Sequence, residues 1–176
     1  MDWNSADLRK ILDLAREMKR EKKQRDDLRG KSLAMVFFNP SLRTRVSFDV
    51  AMSQLGGHAV ELNVGQGMWS IEYRDGAVMN GTKVEHIKEA AKVLSRYCDA
   101  IAVRSFAGMN DFEEDRADPV VRGFARHADV PVVNMESAMH HPCQGMADVM
   151  TIEEHLKGFQ GKTLLLTWAP HPSSLP

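Results

Sequence analysis

The chain has 176 residues, 43% of them hydrophobic, which is enough for one good core and the beginning of a second domain. A formal net charge of -1 gives no global field for nucleic acid or an anionic membrane, so any cationic function has to be local. Two cysteines make no disulfide framework, no apolar run approaches the roughly 20 residues of a bilayer span, and the N-terminus lacks a signal peptide's apolar core. A soluble cytoplasmic protein is expected.

Asn4-Ser5 reads as the cap of a first helix, with Leu8, Ile11, Leu12, Ala15 and Met18 recurring at helical spacing. The charged run from Lys19 to Arg29 is read as a solvated helix end and turn, despite its basic look. Leu33 to Phe38 is an apolar strand. An Asn39-Pro40 turn follows, and then a helix to Leu55 closed by Gly56-Gly57. His58 to Leu62 reads as a short second strand, and Asn63 to Gly81 as a long glycine-punctuated loop of the kind that is usually functional or disordered. Thr82 with Glu85 predicts a capping box for a helix to about Tyr97. Asp99 to Val103 is a buried-type strand ending in Arg104. Asp118-Pro119 predicts a capped helix start running to about His127, and Pro131 to Met135 is a fourth strand. A long amphipathic helix to Leu156 and a fifth apolar strand, Leu164 to Trp168, complete the series.

Strand and helix alternate throughout, so the expected fold is an α/β parallel sheet flanked by helices. The expected division is residues 1–156 as one domain with its following helix, and 157–176 as the first strand of a second α/β domain. Ligands of such sheets bind outside the carboxyl ends of the strands. Ser41, Arg104, Glu136 and His141 all follow apolar strands and are therefore expected to share one crevice.

The chemistry is densest at Ser41-Leu42-Arg43-Thr44-Arg45. A helix start exposes unpaired backbone N–H groups and a partial positive charge, so it suits an anion. Arg43 and Arg45 add forked cationic donors, and Ser41 and Thr44 add hydroxyls, which together suit a phosphate. Two arginines in a first turn oppose the helix dipole unless something negative lies between them. The alternative, a capped helix with solvated arginines, explains less.

Phe37-Phe38-Asn39-Pro40-Ser41-Leu42-Arg43-Thr44-Arg45, with His141-Pro142-Cys143-Gln144 about a hundred residues later, resembles the aspartate/ornithine carbamoyltransferase family. Gly67-Met68-Trp69, Val78-Met79-Asn80-Gly81, Val103-Arg104-Ser105-Phe106, Asn134-Met135-Glu136 and Thr167-Trp168-Ala169-Pro170-His171-Pro172 resemble its branch acting on N-acylated ornithine. The resemblance implies carbamoyl transfer from carbamoyl phosphate to an amine in arginine biosynthesis. It also implies an N-terminal domain for carbamoyl phosphate, a C-terminal domain for the amino acid, and a homotrimer with sites at subunit interfaces. By resemblance Ser41, Leu42, Arg43 and Thr44 hold the phosphate and Arg45 supports the helix start. Arg104 and His141, with Gln144 of the His141-Pro142-Cys143-Gln144 run, contact the carbamoyl group. Trp69 reaches a neighbouring subunit's site, and Glu136 touches the acylated ornithine. Val84 stands where the acetyl-specific enzymes carry glutamate and the succinyl-specific ones proline, so a succinyl substrate is expected over an acetyl one. The Thr151-Ile152-Glu153-Glu154 stretch is read the same way.

These residue types fit the reaction on their own terms. Arg104, His141 and Thr44 are donors for an oxyanion growing on the carbonyl, and the Gln144 carbonyl can accept from a carbamoyl NH2. No metal, cofactor or covalent intermediate is required. His140-His141 lacks partners at metal-ligand spacing, and Cys143 lacks an evident base, so a packing role is expected for it. Two alternatives stay open. One is ornithine or aspartate carbamoyltransferase proper, and the other is a non-catalytic carbamoyl-phosphate-binding unit.

Overall fold

A computed structural model of the chain describes residues 3–156 and 158–167. Helix α1 (Ser5–Glu21) begins where the Asn4 side chain accepts from the N–H groups of Ala6 and Asp7, at 2.9 and 3.0 Å. Strand β1 (Ser32–Phe37) and helix α2 (Arg43–Gln54) follow, then β2 (His58–Asn63), β3 (Ile71–Glu72) and β4 (Glu85–His86). The chain continues through α3 (Ile87–Tyr97), β5 (Ala100–Arg104), α4 (Phe112–Arg116), α5 (Pro119–His127), β6 (Val132–Glu136) and α6 (Pro142–Leu156).

Four strands form one parallel sheet in the order β2-β1-β5-β6. Alternation along the strands sends side chains to opposite faces, and both faces are covered. Ala34, Val36, Ile101 and Val103 pack with Ile87, Ala90 and Ala91 of α3 and Val120, Val121 and Phe124 of α5. On the other face Leu33, Met35, Phe37, Ala102 and Met135 pack with Met52 of α2. The strand order reverses direction between β1 and β5. This switch point opens a crevice at the carboxyl ends of those two strands, where Phe37 and Arg104 are register partners.

Gly56 has a φ of +79°, the left-handed conformation expected at a helix end, and Gly57 then runs tightly under the turn. A Cβ on Gly57 would meet the Met52 methyl at 2.7 Å and the carbonyl oxygens of Leu28 and Lys31 at 3.1 Å. The methyl can move aside but the carbonyls cannot. Gly57→Ala is therefore expected to cost about 1–3 kcal/mol of stability in a denaturant titration.

Three expectations change. Helix α3 opens at Ile87, not at a Thr82 box, because Glu85 and His86 pair with Ile71 and Glu72 as extended backbone. The buried His86 ring caps α3 instead, accepting from the Lys88 N–H at 3.2 Å while its other nitrogen meets the Arg74 carbonyl at 3.0 Å. Asp118 does not cap α5 with its side chain; it sits in the left-handed region at φ 51° and its carboxylate is used elsewhere. Residues 164–167 form no strand, and Leu164, Leu165 and Leu166 are exposed, since no described strand offers them a ladder. Trp168 of that expected strand, and the run to Pro172, lie outside the described residues.

Arg16 of α1 pairs with Glu153, and Lys19 donates to both Glu154 oxygens at 2.8 Å, so these carboxylates tie α6 to α1. No helix among the described residues is long and apolar enough to cross a membrane.

Candidate active site

The turn after β1 is built by its own polar groups. Asn39 accepts from the Phe106 N–H through its side-chain oxygen at 2.7 Å, and the Phe38 N–H donates to the Arg104 carbonyl at 2.9 Å. These bonds fasten the β1–α2 turn to the segment leaving β5. Ser41 Oγ accepts from the Thr44 N–H at 3.2 Å, closing the first turn of α2. That turn contains no acidic residue, and Leu42 and Arg43 are exposed on it.

The two arginines of the turn divide their work. Arg45 is committed to β2: it pairs with Glu61 at 2.8 Å, donates to the Asn63 side-chain oxygen at 2.8 Å, and lies 5.2 Å from the Phe37 ring centroid. It therefore anchors α2 to the sheet. Arg43 is the exposed cation of the pair.

Arg104 ends β5 and is buried. It donates to Thr44 Oγ1 at 3.2 Å, pairs with Glu136, and stacks 4.5 Å from the centroid of the Phe106 ring. Glu136 reaches it through a local irregularity of the sheet. Val103 is registered with Asn134, but Arg104 is registered with Glu136, so β6 accommodates Met135 between them. Without that shift the apolar Met135 would face Arg104. Such irregularities re-aim side chains beside functional sites.

His141 lies just ahead of α6. Its Nε2 is 3.3 Å from Glu136 Oε2, the same oxygen that receives Arg104, and its Nδ1 accepts from the Gln144 N–H at 3.4 Å. A ring nitrogen that accepts carries no proton, so the Gln144 contact leaves the proton of the neutral ring on Nε2, the nitrogen nearer Glu136. Thr44, Arg104, Glu136 and His141 thus form one connected set, with Ser41 on the adjoining turn.

The remaining expected residues are outside that set. The Gln144 amide donates to Asp148 at 2.8 Å, one turn along α6. Trp69 and Val84 are exposed near the β3–β4 pair. Pro142 is the first residue of α6. Cys143 is exposed and not packed in a core as expected, because the start of α6 lies at the surface; desolvation of its sulfur still raises the thiol above its ordinary value and disfavours the thiolate. Phe106 and Asn39 were not singled out as working residues by sequence reasoning. Both lie in the motif runs around the ends of β1 and β5, but nothing in those runs shows that Asn39 bonds the Phe106 N–H. Among the described residues no group of three His, Cys, Asp or Glu side chains is placed to hold a metal ion.

Comparison with known proteins accounts for this arrangement. The profile described as "Aspartate/ornithine carbamoyltransferase, carbamoyl-P binding domain" matches residues 1–154. The chain belongs to the aspartate/ornithine carbamoyltransferase family. Among curated relatives of this family, the N-acetylornithine carbamoyltransferase of Xanthomonas axonopodis pv. citri (strain 306) is 47% identical over 176 residues, covering 99% of this chain and 51% of the relative. The N-succinylornithine carbamoyltransferase of Bacteroides fragilis (strain 638R) is 43% identical over 171 residues, covering 97% of this chain and 54% of the relative. A crystal structure of an N-acetyl-L-ornithine transcarbamylase variant, with one glutamate replaced by proline, superposes with a TM-score of 0.93. It is 47% identical, the match covers 99% of this chain and 52% of that one, and it is complexed with carbamyl phosphate and N-succinyl-L-norvaline. The chain spans about half the length of the curated relatives it matches.

Proposed function

We propose that the full-length protein transfers the carbamoyl group of carbamoyl phosphate to the side-chain amine of an N-acylated ornithine, releasing phosphate. One observation carries this reading. Arg104 donates to one oxygen of Glu136, His141 Nε2 lies 3.3 Å from that same oxygen, and Thr44 accepts from the same Arg104 nitrogen. A carbonyl oxygen taking up negative charge calls for that same donor pair.

In the reaction the amine nitrogen attacks the carbonyl carbon and the electron pair of the C=O bond moves onto oxygen. Collapse of that tetrahedral species expels phosphate with the electron pair of its C–O bond, and the amine proton passes to a phosphate oxygen. Arg104 and His141 stabilise the oxyanion. The start of α2, with Ser41, Leu42, Arg43 and Thr44, receives the phosphate at the positive end of the helix dipole. Gln144 would recognise the carbamoyl NH2 once its amide leaves Asp148, and Glu136 would turn to the acylated ornithine. In this reading residues 1–156 are the carbamoyl phosphate domain and 157–176 open the amino-acid domain. Three chains form a cytoplasmic homotrimer in which the exposed Trp69 serves a neighbouring site, and the product feeds arginine biosynthesis.

Within this function the succinyl substrate is the preferred one. Val84 is small and uncharged, so it neither repels the second carboxylate of a succinyl group nor fills its space. The solved relative with proline for one glutamate, holding N-succinyl-L-norvaline beside carbamyl phosphate, supports that reasoning. The higher identity to the N-acetylornithine enzyme, 47% against 43%, favours acetyl as the second reading. The test offers ornithine, N-acetylornithine and N-succinylornithine separately with carbamoyl phosphate. Succinyl turnover is expected to lead and free ornithine to trail. Val84→Glu is expected to shift the ratio of kcat/KM toward the acetyl substrate; an unchanged ratio would remove this position from substrate choice.

A further inference from the structure

We infer that Asp118 is a positioning residue that holds His141 in place through the turn between β6 and α6. The inference rests on the proposed carbamoyl transfer for its kinetic meaning, but its geometry stands on its own. Asp118 is 6% exposed and Ser137 is 7% exposed. One Asp118 oxygen accepts from Ser137 Oγ at 2.6 Å and the other accepts from the Ala138 N–H at 3.0 Å. Ser137 in turn closes the turn on itself. Its N–H donates to the His140 carbonyl at 2.8 Å, and its Oγ lies 3.3 Å from the His140 N–H and 3.1 Å from the Asn134 amide nitrogen. His141 is the next residue.

The backbone of Asp118 shows what this arrangement displaces. A residue directly ahead of α5 would ordinarily lie in extended backbone and cap that helix with its side chain. Asp118 instead adopts φ 51° and ψ 50° and makes no cap bond. The left-handed conformation is disfavoured for residues with a Cβ, though Asp tolerates it better than most. Strain of this kind persists where surrounding contacts over-determine it. Here those contacts are the two donors of the 137–138 turn. The His141 ring is contacted by Glu136 at 3.3 Å and by the Gln144 N–H at 3.4 Å, and its carbonyl accepts from the Gly145 N–H at 3.0 Å, so the ring's place follows the backbone of the turn. A shift of the turn therefore moves the imidazole away from the oxygen that Arg104 also addresses.

The experiment compares three variants in the full-length protein. Asp118→Gly keeps the left-handed backbone without strain and deletes only the acceptor oxygens. Asp118→Asn keeps one acceptor for the Ala138 N–H and offers Ser137 a donor, so it serves as the rescue. His141→Ala removes the group through which Asp118 acts. Asp118→Gly is expected to lower kcat by at least about tenfold with KM for carbamoyl phosphate changed far less, because the phosphate is held elsewhere. Asp118→Asn should recover most of that loss. In the His141→Ala background, Asp118→Gly should cost almost nothing further. Additive losses in the double variant would overturn the inference, as would a loss confined to KM. The His141 ring resonances give a readout independent of turnover, and they should broaden or split in Asp118→Gly but not in Asp118→Asn. Unchanged ring signals in the glycine variant would overturn the inference as well. A wild-type protein with no carbamoyl transfer would instead defeat the proposed function, with the ring signals still deciding the positioning role.

Discussion

Arg104→Ala is expected to lower kcat by about 100- to 1,000-fold, the loss typical of removing one donor to a developing oxyanion. KM for carbamoyl phosphate should change much less, because Arg104 meets charge that develops only in the transition state. The same substitution should destabilise the fold. Arg104 and Glu136 are both buried, and removing one partner of a buried ion pair typically costs about 3–5 kcal/mol by stranding the other charge. The two effects are separable. Arg104→Ala combined with Glu136→Gln should regain much of the lost stability and none of the lost turnover. Steady-state kinetics and a denaturant titration on both variants check this. Recovery of turnover in the double variant would show that Arg104 acts through stability alone.

Arg43→Ala should fail in the opposite way. Its side chain is exposed on the first turn of α2, where no acidic residue matches it, and the phosphate it meets is charged before the reaction begins. Binding of carbamoyl phosphate is expected to weaken by about 10- to 100-fold, the loss of a charge-assisted contact, with kcat nearly intact once the ligand saturates. Arg45→Ala is the instructive comparison. With Glu61 and Asn63 as its partners, Arg45 should contribute to the melting temperature more than to ligand affinity. Equal affinity losses from both arginines would show that Arg45 leaves β2 to bind the phosphate.

The alternating strands and helices were legible because parallel strands buried on both faces read as continuous apolar runs, as Leu33 to Phe37 does. The convergence of Ser41, Arg104, Glu136 and His141 was legible for a related reason. Residues directly after parallel strands share one sheet edge whatever the loops do. Other features depended on contacts that no local pattern encodes. The two-residue pairing of Ile71–Glu72 with Glu85–His86 is too short to leave a period, and it overrode a sound capping signal at Thr82. Helix α4, only five residues long, hid among turn residues, although Asp111 caps it through the N–H groups of Glu113 and Glu114. The partition between Arg43 and Arg45 turned on Glu61 and Asn63, which sit on a neighbouring strand. Glu136 was placed in the crevice by its position at the carboxyl end of its apolar run, but the register shift that sets it against Arg104 is a property of two paired strands and not of either one.

Because β1 and β5 are hydrogen-bonded neighbours, the spacing between Phe37, which leads into the turn before α2, and Arg104 is a backbone dimension. Adjacent strands lie roughly 4.8 Å apart in every sheet, and no side-chain replacement alters that figure. Under the proposed function the crevice would therefore carry a built-in ruler for the small carbamoyl donor. Val84, proposed to read the acceptor, is exposed and lies outside both strands. Such a division lets the acceptor repertoire drift through surface substitutions while the reaction geometry stays locked. A laboratory selection for new acceptors should accordingly gather its changes along the 63–84 stretch and leave both strands untouched.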